Sequence, residues 1–141
     1  MQAAESTTPT PAYEALMASM DAIVADGVDI VPMFFAHFFR ANPAEQAKFH
    51  NKLSSHGNMV NEIMGLLLAV AAEEPWVEMF TRAQLRTHEG YGDIALERYR
   101  EALDMFVDVL GESAGARWTA EWDRCWRDQA ARLMVMIERW Y

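Results

Sequence analysis

At 141 residues the chain falls within the span of one domain, and its single cysteine, Cys125, excludes an internal disulfide. Twelve Lys and Arg against 21 Asp and Glu give a formal net charge of −9, which excludes the basic surface that draws nucleic acid or anionic lipid. Hydrophobic residues make up 52% of the chain, with ten Met, seven Phe and five Trp, so there is apolar volume beyond a minimal core and something large and apolar is expected to be wrapped.

The small, polar, Pro-containing stretch at 2–11 reads as a loosely attached leader, giving a flexible segment over 1–12 and one folded domain over 13–141. From there, helix follows helix. Residues 12–25 repeat apolar side chains at three- and four-residue steps and stop at Asp26-Gly27. Residues 29–42 open with an Asp able to cap, tolerate Pro32 in the first turn and halt before Pro43, which starts a short helix over 43–49. A segment at 53–72 begins with Ser54 and Ser55 as candidate caps. The next, 75–89, begins with a proline and ends at Gly90.

Residues 93–111 place Tyr99, Leu103, Phe106 and Leu110 on one face and stop at Gly111. Residues 116–140 set Trp118, Trp122, Trp126, Leu133 and Ile137 along one stripe. No stretch alternates apolar and polar residues as a strand does. The fold class expected is therefore all-α, with about six substantial helices and one short one, the last two forming an antiparallel pair. The longest apolar run, IMGLLLAVAA at 63–72, falls short of the roughly 20 residues of a membrane span. A lone cysteine and no basic, apolar signal segment predict a reducing cytoplasm.

Catalysis by protein side chains alone finds no support, since the chain carries no HExxH, CxxC, glycine-rich phosphate loop or GxSxG elbow. Four histidines remain: His37, His50, His56 and His88. His56 opens a stripe through Val60, Met64 and Leu67; His88 follows Leu85 by three residues, with Phe80 and Trp76 continuing its side. Each could be a satisfied, partly buried imidazole or a ligand. Neighbouring helices that each carry one favour a ligand pocket between them. Zinc, which wants four compact ligands, fits two histidines among Val, Met, Leu and Phe poorly. Haem needs only an axial imidazole and an apolar slot.

Over about residues 13–138 these motifs resemble, in order, those of the globin family, specifically the single-domain bacterial globins and the globin domain of flavohaemoglobins. MFFAHFFRANPAEQAKF is similar to the segment leading through Pro43 to a haem-packing Phe49. SSHGNMV is similar to the distal helix, with His56 hydrogen-bonding bound ligand, or itself a sixth iron ligand, and Val60 pressing on the ligand. LRTHEGYG is similar to the proximal segment, with His88 as the axial iron ligand. Thirty-two residues separate His56 from His88 (88 − 56), which suits the bacterial branch. Phe35 takes the distal place that bacterial globins often fill with tyrosine. Leu85 stands three residues before His88, where relatives usually place a leucine four before. Tyr99 falls one residue later than the tyrosine that flavohaemoglobins direct at the proximal histidine. Ile137 stands where they carry an acidic residue, with Glu138 one position on.

The resemblance implies a three-over-three helical sandwich with a short or absent D helix, holding haem b. The haem site would comprise Phe35, Phe49, His56, Val60, His88, Tyr99 and Phe106, with Phe34 and Met64 extending the apolar wall. It implies reversible binding of dioxygen or another diatomic gas, for storage or transport, by a monomer or homodimer that engages neither nucleic acid nor membrane. His50 could meet a propionate, and His37 has no role. Nitric oxide detoxification would require a separate reductase. Gas sensing and a haem-free signalling module are the alternatives.

Overall fold

The computed structural model of the chain describes residues 9–48, 52–90, 92 and 94–141. Its first helix, α1 (Pro11–Ala25), starts where the sequence supplies both an N-terminal proline and a cap: the Thr10 hydroxyl accepts from the Tyr13 amide at 3.0 Å. The same hydroxyl donates to the Ala71 carbonyl at 2.6 Å, so the described end of the expected leader, residues 9–12, is tied to the fold. After Gly27, whose φ of 69° favours a residue lacking Cβ, the chain turns 101° into α2 (Ile30–Ala41). Asp29 caps α2 through the Val31 amide at 3.1 Å, as its position predicts.

Pro43 starts a short 3-10 helix, Pro43–Lys48, in place of an α-helical turn. Then come α3 (Lys52–Ala71), α4 (Val77–Glu89) and α5 (Leu96–Ala114). A 3-10 turn, Gly115–Arg117, leads to α6 (Ala120–Trp140). The described residues are all-helical, with no strand. No single helix among them is long and apolar enough to cross a membrane.

The stop expected at Gly111 falls instead at a second glycine, four residues on. Gly111 does not stop the helix, which runs on until Gly115 reverses the chain at φ 60°. Gly111 instead makes room, because a Cβ there would lie 3.3 Å from the Trp118 indole nitrogen. Trp118 accordingly sits outside α6, which is capped by Thr119, and meets Trp122 edge-on at 5.9 Å. Of the expected tryptophan stripe, Trp126, Leu133 and Ile137 reach the core.

The α6 helix packs against α1, α3, α4 and α5. Pairings of Arg100 with Glu138, Asp108 with Arg127 and Gly111 with Trp118 fix α5 and α6 antiparallel. At their contact Phe106 meets Trp126 edge-to-face at 5.8 Å, both rings fully buried. A buried indole N–H needs an acceptor, and Ser19 of α1 provides it: the Trp126 Nε1 donates to its hydroxyl at 2.8 Å, while that hydroxyl donates to the Leu16 carbonyl at 2.7 Å.

Ser19→Ala leaves the buried Trp126 N–H unsatisfied and is expected to lower unfolding free energy by about 1–3 kcal/mol, measured by urea denaturation. A change below a few tenths of a kcal/mol would show that water or a rearranged indole takes the role of Ser19.

Candidate functional site

Between α3, α4, α5 and α6 lies a cavity of about 360 Å³, within the roughly 300–1,000 Å³ usual for ligand pockets. Each helix contributes side chains at its own period. Met59, Ile63 and Leu66 come from α3, Thr81, Leu85 and His88 from α4, Tyr99 and Leu103 from α5, and Leu133 and Ile137 from α6. Several polar members of the lining are already engaged, some with one another and some with residues beyond it. Gln84 donates to Glu62. Arg98 donates to Asn42 and, at 2.9 Å, to Glu101, and stands 3.6 Å from Glu45.

His88 occupies the last turn of α4, where the helix dipole favours a cation. Burial acts the other way and prevails: desolvation holds the imidazole below its ordinary pKa, and the nearby Glu62 carboxylate only partly offsets it. Its Nδ1 is shielded from solvent. The Tyr99 ring stands 5.8 Å away, tilted by 54°. Burial, with Tyr141 and Glu89 adding to it, pushes the Tyr99 phenol up to about 12, so it keeps its proton at any physiological pH. Tyr141 meets Tyr99 edge-on at 6.3 Å and donates its hydroxyl to the Ile94 carbonyl at 2.6 Å.

Of the residues expected to form one site, the cavity brings together His88 and Tyr99. Phe35, His56, Val60 and Phe106 do not line it. The His56 ring stacks on Phe35 at 3.9 Å and 16° and lies 5.4 Å from Phe39, turned toward α2, with its Nε2 buried. Val60, Phe34 and Phe106 belong to the general core, and Met64 is half-buried beside it. Phe49 and His50 lie outside the described residues.

Trp76 and Phe80, expected to extend the side of His88, are 47% and 39% exposed; Val77 and Thr81 are buried in their place. His37 pairs with Glu112 at 3.2 Å. Ile137 lines the cavity, while the neighbouring Glu138 is held outside it by Arg100 at 2.9 Å. The residues that sequence patterning missed are Met59, Ile63 and Leu66. They form a second apolar stripe on α3, about 100° round from Val60, Met64 and Leu67, which the 3.6-residue repeat could have disclosed.

Among the described residues no group of three or more His, Cys, Asp or Glu could hold a metal ion. What the cavity offers is one weakly basic imidazole in a mainly apolar lining, with the carboxylates of Glu45 and Glu62 beside Arg98 and Gln84.

The depressed His88 pKa has a definite stability consequence. Unfolded, the imidazole titrates near 6.5; folded, it binds its proton only at lower pH, so between those values the unfolded state carries more protons and stability rises with pH. In haem-free protein, unfolding free energy should therefore fall as pH drops below about 6.5, with His88→Phe flattening that slope. An NMR titration placing His88 above 6.5 would reverse the sign.

No family model and no curated protein matches the sequence.

Proposed function

We propose that the chain is a haem-binding globin that takes up dioxygen or another diatomic gas reversibly, with His88 as the axial ligand. The observation that carries this is the position of His88: an imidazole kept neutral by burial, opening into an apolar cavity between four helices. Its donor chemistry fits haem. A neutral imidazole offers a ring lone pair, and a macrocycle that brings its own four nitrogens asks for nothing else from a lining poor in ligands. Bound there, ferrous haem supplies an iron with a position open to small gases.

The chain's own residues do the rest. Leu85, Leu103, Leu133 and Ile137 exclude water from the cavity. Tyr99 remains a neutral phenol beside the imidazole, adding no negative charge to it. Glu138, committed to Arg100, stays outside the cavity, leaving Glu62 as a carboxylate that acts on His88. His56 could act on bound gas only by leaving its stack on Phe35.

Purified protein is expected to take up haemin and, once reduced, to show a Soret band that shifts on adding carbon monoxide. His88→Ala should weaken haemin binding by roughly tenfold or more, the equivalent of about 1.4 kcal/mol. Protein that takes up no haemin, or takes it up equally well without His88, would instead favour a haem-free module.

A further inference from the structure

The α3 helix presents two different residues where one distal residue was expected, and only one of them faces the cavity. His56 lies against Phe35 and Phe39, whereas Met59, three residues on, lines the same cavity as His88. Met59, Ile63 and Leu66 fall at i, i+4 and i+7, one face of the helix, so the register is carried by three residues together. The other groups in the lining able to bind a metal are less suited. Glu62 accepts from Gln84, Glu45 stands by Arg98, and the Tyr99 ring packs edge-on against Tyr141 at 6.3 Å. A thioether needs no deprotonation, binds iron as a soft neutral donor and sits on a side chain with three rotatable bonds, able to swing in and out.

We infer that Met59, not His56, is the α3 residue that meets a haem held by His88, and that its sulfur is the second axial ligand when no gas is bound. This rests on the haem-binding proposal above. The step is an exchange: the incoming gas forms a bond to iron as the sulfur–iron bond breaks, with no change in oxidation state and no proton transferred. Apparent gas affinity is then reduced by the fraction of protein in which the sulfur is bound. Thioether ligation also favours ferrous over ferric iron and raises the reduction potential.

The test compares haemin-loaded wild type with Met59→Leu and His56→Leu, the first a nearly volume-conserving change that leaves the fold intact. Reduced wild type should show a six-coordinate spectrum that becomes five-coordinate in Met59→Leu, with carbon monoxide binding several-fold faster and the reduction potential lower. His56→Leu should match wild type in all three. A six-coordinate spectrum that survives Met59→Leu but is lost in His56→Leu overturns the inference and assigns the ligand to His56. A five-coordinate wild type overturns it as well. Both of these outcomes leave the haem-binding proposal standing, whereas haemin uptake that fails altogether, or ignores His88→Ala, removes both.

Discussion

A helix that is apolar on two adjacent stripes must be covered on both, and α3 imposes this constraint on its neighbours. One stripe, through Val60 and Leu67, is sealed into the core, and beside it His56 rests on the α2 rings. The other, through Met59, Ile63 and Leu66, is covered by α4, α5 and α6 only across a gap, and that gap is the cavity. Turning α3 by about 60°, the angular offset of residues three apart, would bring the His56 imidazole to the cavity face where the Met59 thioether now stands. The stack of His56 on Phe35, within a cluster in which Phe34, Phe35 and Phe38 contact one another at 5.0 to 6.2 Å, opposes that rotation.

The far wall is held differently. The α4 helix docks on α6, and the last turn of α6 fastens it: Arg139 and the Trp140 indole N–H both bond to Glu78, and the Arg82 guanidinium lies 4.5 Å over the Trp140 ring. An exposed ion pair is screened by solvent and salt and holds little by itself, so the clasp acts as a network rather than through one bond. Its effect is positional. It fixes the start of α4 while Tyr141 fixes the chain beyond it through Ile94, so His88 sits between two anchored points.

Much of the fold was legible because local chemistry and tertiary need coincide. Asp29 and Pro43 mark the boundaries they should, since a cap and a ring-locked φ act within a few residues of themselves. Gly111 misled for the opposite reason. In sequence it is a stop signal, but the absence of its Cβ serves the indole of Trp118, a contact no local rule contains. Thr10 likewise belongs to the fold through a bond to Ala71, sixty-one residues away, which is why composition alone assigned it to a leader.

The two histidines show the same limit within the candidate site. On α4, the positions flanking His88 offer one continuous buried stripe, Val77, Thr81 and Leu85, and a histidine three residues on from its end lands in the cavity. Trp76 and Phe80 seemed to continue it only because large aromatic side chains weigh heavily in any apolar count, whereas their place in the helix turns them to solvent. On α3 the period fits two phases one residue apart, and hydrophobicity cannot rank them: His56 is the less apolar member of the stripe it opens, and Met59 is an unremarkable member of the other. What selects between them is which neighbour covers which face. That depends on the α2 phenylalanines and on where α4 is fastened, neither of which is encoded in α3 itself.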